Sequence, residues 1–258
     1  MNDYMAILKN IQSNNIGELE KMIRGVDINK INNNSGDTPL IYAVYNGKKE
    51  AVKLLLEYGA DPNISMEGGF TPLIVSIGIS EDTYITKLLL DYGADSNFEA
   101  QYNGTPLMKA SQRGNLEAVK LLLDYGADIN LSARRTRAGA ISMAIGYHHI
   151  HIVKLLLDRG VDISLSDNEG HTAYDQALLE IESCANIGVP CDESQNILKL
   201  LDDHINTIKS QQKLSFAKTQ DKIHSIVGRD MDDGIFRKIS EHLSNMEHVP
   251  SVHNPYTK

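Results

Sequence analysis

The sequence predicts an all-α solenoid of stacked helix-turn-helix units with short β-hairpin-like turns, followed by a helical C-terminal segment. One phrase carries most of this: KLLLEYGAD at Lys53, KLLLDYGAD at Lys87 and Lys120, and KLLLDRGVD at Lys154. Its glycines, Gly59, Gly93, Gly126 and Gly160, are separated by 34, 33 and 34 residues, and a fixed period in the thirties marks a stacked repeat array. Gly25, in MIRGVDIN, lies 34 residues before Gly59, so the array begins upstream of its clear copies.

Composition narrows the class. The 258 residues suffice for one elongated array or two small domains, and 41% apolar content is ordinary for a soluble protein. The apolar runs fall far short of the ~18 residues of a spanning helix, and MNDYMAILKN lacks a basic region followed by a long apolar stretch. Neither membrane insertion nor a classical export signal is expected. A formal charge of −9 argues against a nucleic-acid partner, whose phosphates need clustered Lys and Arg; the cluster Arg134, Arg135 and Arg137 is only local. Cys184 and Cys191 fall in a stretch that reads as a loop and make no disulfide framework, which fits a reducing compartment.

The segment from Gly104 to Asn130, GTPLMKASQRGNLEAVKLLLDYGADIN, justifies each element in turn. Thr105 followed by Pro106 starts a helix, because the hydroxyl caps free amides and proline loses no needed donor at the first helical position. Gly114 ends that helix, since glycine tolerates the left-handed conformation. A second helix runs from Leu116 to about Asp124, with Val119, Leu122 and Leu123 on one face and Leu121 widening it. Gly126 terminates it, and the Asn-, Asp- and Gly-rich residues that follow read as a sideways turn. So short a helix pair cannot bury its leucines alone, and each copy needs neighbours.

The pattern G-x-T-P-L-x-x-A, then G, then x-V-K-L-L-L-x-x-G-A-D-x-N resembles the ankyrin repeat. It is seen as GDTPLIYA with AVKLLLEYGADPN from Gly36, GFTPLIVS with ITKLLLDYGADSN from Gly69, and GTPLMKAS from Gly104. It continues as AGAISMA with HIVKLLLDRGVDIS from Ala138 and GHTAYDQA with ILKLLDDH from Gly170. Residues 1–35 resemble a degenerate first repeat, giving six copies: this one and repeats two to six over residues 36–206, with an insertion at about 181–194. Ile41, Ile74 and Met108 replace the family's usual His, removing a hydrogen-bonding side chain while keeping an apolar filler. Gly139-Ala140 replaces Thr-Pro in the fifth copy, so that helix should be the least firmly capped.

The resemblance implies a non-enzymatic protein-binding scaffold whose hairpin turns and outward first-helix positions form a concave surface. Register places Asn34, Ser35, Asp37, Tyr45, Asn46, Glu67, Phe70, Ile79, Gln101, Tyr102, Gln112 and Arg113 there, then Arg135, Thr136, Ala138, Tyr147, Asn168, Glu169 and His171. These differ from copy to copy, unlike the frame. Tyr45, Phe70, Tyr102 and Tyr147 are large aromatics where packing does not require them, and interface hot spots favour aromatics and Arg. Tyr58, Tyr92 and Tyr125, with Arg159, recur before the capping glycine and read as half-buried helix-end residues.

No catalytic or metal constellation stands out. In Tyr147-His148-His149-Ile150-His151, register spreads the histidines over a helix end, a helix start and an exposed face, so no metal is expected. Cys184 and Cys191 lack a second pair for zinc, and a catalytic cysteine would need a base such as His171 or His204. There is no phosphate loop, G-x-S-x-G or H-E-x-x-H, so neither cofactor nor enzymatic activity is expected.

The period stops after about Asn206. Residues 207–248 read as a helical cap over the last repeat's leucines, and residues 249–258 as a disordered tail. Met231, Ile235, Ile239 and Leu243, each four apart, also weakly resemble the start of an F-box, which docks ubiquitin-ligase adaptors and follows ankyrin arrays in some poxviral and rickettsial proteins. Asp232 and Gly234 depart from that motif. An Asn-, Ile- and Lys-rich composition suggests an AT-rich genome, and with it a cytoplasmic adaptor delivered into a host cell by an intracellular bacterium or large virus.

Overall fold

The computed structural model describes residues 2–30, 33, 36–101, 104–187 and 190–227. The chain divides into two units, Met1–Asp202 and Asp203–Lys258. Among the described residues every regular element is an α-helix, and none is long and apolar enough to cross a membrane.

The helices come in pairs: α1 (Asn2–Gln12) with α2 (Ile16–Ile23), α3 (Pro39–Tyr45) with α4 (Lys49–Glu57), and α5 (Pro72–Ile79) with α6 (Tyr84–Asp91). Then follow α7 (Pro106–Arg113) with α8 (Leu116–Asp124), α9 (Ala140–Gly146) with α10 (Ile150–Asp158), and α11 (Ala173–Ile187) before α12 (Asp192–Val227). The first helices pack in one row from α1 through α11, while α2–α4–α6 and α8–α10 pack in a second. Single antiparallel bridges, Met66 with Phe70, Ala100 with Gly104, Ser132 with Gly139 and Ser166 with Thr172, close the hairpin turns between pairs. Gly69 is required in one of them: its φ is +79°, and a Cβ there would stand 3.1 Å from the Gln101 backbone nitrogen of the next turn.

Helix starts follow the threonines. The hydroxyls of Thr38, Thr71 and Thr105 accept from the amides of Ile41, Ile74 and Met108 at 3.3, 3.4 and 3.3 Å. Ile41 and Ile74 are buried fillers, as expected. Met108 does more than fill, because its sulfur accepts the Thr105 amide at 3.4 Å, so a hydrogen-bonding side chain is not lost there. Gly139 gives α9 no side-chain cap, whereas Thr172 and Asp175 cap α11 reciprocally.

The repeated phrase is a helix end. Tyr58, Tyr92, Tyr125 and Arg159 are the C-caps, and the following glycines have φ between +80° and +85°. The chain then folds back, so that the amides of Ala60, Ala94, Ala127 and Val161 donate to the carbonyls of Leu55, Leu89, Leu122 and Leu156 at 2.9–3.0 Å. This is the Schellman arrangement, and it occurs at four of these helix ends. Those four leucines are wholly buried in the apolar core running through the array.

The asparagine two residues past the phrase ties one copy to the next. Asn29 Oδ1 accepts the Asp61 amide at 2.8 Å while its Nδ2 donates to the Gly59 carbonyl at 2.9 Å. Asn63 does the same with Asp95 and Gly93, at 2.7 and 3.0 Å, and Asn97 with Asp128 and Gly126, at 2.7 and 3.3 Å. Asn130 accepts from the Asp162 amide at 2.8 Å. The ladder stops at Ser164, which among the described residues bonds within its own turn to Asp162.

The sixth pair departs from expectation. The stretch around Cys184 is not a loop: α11 extends to Ile187, so much of the inserted sequence lengthens a helix, and Cys191 immediately precedes α12. Residues 188–189 and 228–258 lie outside the described residues, and with them the tail and the candidate docking positions Met231, Ile235, Ile239 and Leu243.

Two substitutions test this frame. Asn63→Ala removes both inter-repeat hydrogen bonds of one rung and is expected to cost about 1–2 kcal/mol in urea unfolding. Gly139→Thr should stabilise by about 0.5–1 kcal/mol, because the backbone is extended at φ −104° and a Cβ would meet nothing closer than 3.8 Å.

Candidate functional site

The outward ends of the first helices carry the side chains that the frame leaves unoccupied. At the end of α3, Tyr45 is 67% exposed; Ile79 ends α5 in the open, and Arg113 ends α7 exposed. Tyr147, the C-cap of α9, is 52% exposed yet held in place. Gln112 Nε2 donates to its hydroxyl oxygen at 2.8 Å, and Lys109 Nζ donates to Gln112 Oε1 at 3.1 Å. The His149 ring stacks on Tyr147 with centroids 6.4 Å apart and planes inclined by 12°.

His149 Nε2 lies 3.1 Å from the Gln112 carbonyl oxygen, a bond that requires the proton on that nitrogen. The ring fits because residue 114 is glycine: a Cβ there would fall 2.6 Å from His149 Cε1, and φ is +74°. Lys109, Gln112, Tyr147 and His149 thus form one fixed cluster across the fourth and fifth helix pairs, with Arg113 exposed beside it.

The remaining candidates are less free. Asp37 is drawn into its own turn, accepting from Asn33 Nδ2 at 2.5 Å and donating its amide to Asn33 Oδ1 at 2.8 Å. Asn46 caps α3 with a 2.8 Å bond to the Tyr42 carbonyl. Phe70 is half-buried and packs on the core, so it is not the unneeded aromatic the register suggests. His171 sits beside Asp167, whose carboxyl is held below its usual range although burial opposes the charge. The His171 amide, the Gln176 side chain and the Glu169 amide achieve this.

Glu67, Gln101, Arg135, Asn168 and Glu169 are exposed on the turns. Of the basic cluster, Arg134 is engaged: its amide and Nε bond Glu99 at 2.7 and 2.9 Å. Tyr102 lies outside the described residues.

Three comparisons bear on this arrangement. The family model for ankyrin repeats (3 copies) matches residues 5–97 and 66–133, together half of the chain. The chain belongs to the ankyrin-repeat family. The crystal structure of EF0377, an ankyrin repeat protein, superposes with a TM-score of 0.64 at 27% identity, over 76% of this chain and 96% of that one. A 2-5A-dependent ribonuclease of Mus musculus is 33% identical over 75 residues, 29% of this chain but 10% of the ribonuclease. The match thus spans a tenth of that relative's length.

In this ankyrin array the second helices carry a set of contacts that the sequence does not announce. The Tyr58 hydroxyl donates to Glu20 at 2.7 Å, and Tyr125 to Asp91. Arg159 Nη1 donates to Asp124 at 3.1 Å. Tyr58, then Arg24, hold the Glu20 carboxyl below its ordinary range, and Lys87, then Tyr125, do so for Asp91. Tyr58 is half-buried as expected, whereas Tyr92 and Tyr125 stand further out.

Sequence register omitted Lys49, Lys109 and His149 from the outward set. Lys49 pairs with Asp82 and lies 5.1 Å above the Tyr84 ring. The available signal for Lys109 was disagreement between copies, since the equivalent positions are Tyr42, Val75 and Met143. Among the described residues no group of three or more His, Cys, Asp or Glu is placed to hold a metal.

Proposed function

We propose that this chain is a non-enzymatic adaptor that recognises a protein partner through the exposed ends of its first helices and the adjoining hairpin turns. The Tyr147–Gln112–Lys109 cluster carries the reading. A large aromatic held by two neighbours, half exposed and flanked by an exposed Arg113, presents contact area at little further cost in side-chain entropy. Tyr45, Gln101, Arg135 and Asn168 extend the same chemistry along the array. Ankyrin repeats are protein-interaction scaffolds, and this surface is where the copies differ most.

Simultaneous replacement of Tyr45, Arg113 and Tyr147 by Ala tests this. Pull-down from lysate with mass spectrometry first identifies a partner of the native chain. Calorimetry should then show at least a tenfold weaker complex for the triple variant, each hot-spot residue contributing on the order of 1–2 kcal/mol, with unchanged helical circular dichroism. Retained affinity would move the site elsewhere.

The tail reading, recruitment of a ubiquitin ligase by an adaptor active in the cytoplasm of a host cell, rests on sequence spacing alone. Ile235→Asp together with Leu243→Asp should abolish capture of ligase adaptors while leaving the first partner bound. Unchanged adaptor capture removes it.

A further inference from the structure

The insertion in the sixth ankyrin repeat contains the chain's two cysteines, and nothing in the binding surface uses them. Cys184 lies near the end of α11 and Cys191 immediately before α12. Both sulfurs are unpaired and partly exposed, and both residues line one open recess of about 270 Å³. Gln195 Nε2 donates to Cys191 Sγ at 3.2 Å, which fixes the orientation of that sulfur.

The recess adjoins one of the contacts between the sixth pair and the fifth. His148 forms its wall, with Nδ1 3.2 Å from Ser194 Oγ and Nε2 4.0 Å from Glu180 Oε2. His148 is therefore the histidine beside the thiols, rather than His171 or His204. It also adopts φ +57°, a left-handed conformation that non-glycine residues rarely take.

We propose that Cys184 and Cys191 are a dithiol exchange site that takes a small-molecule disulfide of the glutathione class and ends as an intrachain disulfide. One thiolate, Cys191 with its oriented sulfur, attacks a sulfur of glutathione disulfide, forming a mixed disulfide and releasing one glutathione thiolate. Cys184, as thiolate, then attacks Cys191 Sγ, breaking the mixed disulfide and releasing the second glutathione. The two protein thiols are oxidised, glutathione disulfide is reduced to two glutathiones, and the two protons pass to the released thiolates. In a reducing compartment the pair rests as thiols, so the link forms only when the glutathione pool is oxidised.

The test uses the full chain, equilibrated with glutathione disulfide, quenched with an alkylating agent and analysed by intact mass and peptide mapping. The expected product is a monomer lighter by two hydrogen atoms, with neither cysteine alkylated until dithiothreitol is added. Cys184→Ser should instead accumulate a glutathione adduct at Cys191. Stable glutathione adducts on both cysteines, a disulfide-linked dimer, or thiols that stay fully alkylatable would each overturn the proposal. None of these outcomes touches the partner-binding reading, which involves other residues.

Discussion

Burial of the leucines is the constraint from which the rest of this structure follows. A pair such as α3 and α4, of 7 and 9 residues, has one apolar face per helix and too little chain to enclose it. Leu55, Leu89, Leu122 and Leu156 are wholly buried because the preceding and following pairs cover them. At roughly 25 cal/mol per Å² of apolar surface removed from water, this stacking is the main favourable term for the array. It also fixes geometry: every pair must present the same profile to its neighbours, so the frame repeats while the outward positions drift.

The polar contacts then set the register of a stack that leucines alone would leave able to slide. Each asparagine rung reads the turn that follows the second helix of the next copy through one acceptor and, for Asn29, Asn63 and Asn97, one donor. Pairing of this kind is satisfied at only one stagger. Along the second helices Tyr58 and Tyr125 reach back to carboxylates of the previous copy, and Arg159 repeats the arrangement with a different side chain. These contacts are exposed or only partly buried and individually weak, so they specify register more than they add stability.

Where the repeat loosens, different contacts take over. Ser164 does not reach the next pair, and α9 starts without a side-chain cap. The fifth and sixth pairs are joined instead through Ala173, Ala177, Ile197 and Leu201 in the core, the Asn168 amide on the Thr136 carbonyl, and His148 against Ser194. The left-handed His148 is tolerated there because its ring gains partners that a glycine would lack. Likewise the fixed Tyr147 depends on Gly114, whose missing side chain admits His149 beside it.

By itself the sequence determined the solenoid class, the helix boundaries of the clear copies, the threonine caps, the weak start of α9 and the role of the repeated phrase as a helix end. All of these depend on interactions within a few residues, or on a period that repeats four times over. Tertiary structure alone decided that Gln112 clamps Tyr147, that Phe70 packs on the core and that Arg134 is engaged by Glu99. Those outcomes join residues more than thirty positions apart or turn on which side chain happens to fill a space. Such contacts follow from how neighbouring copies face one another, and the spacing of residues along one copy does not contain that information.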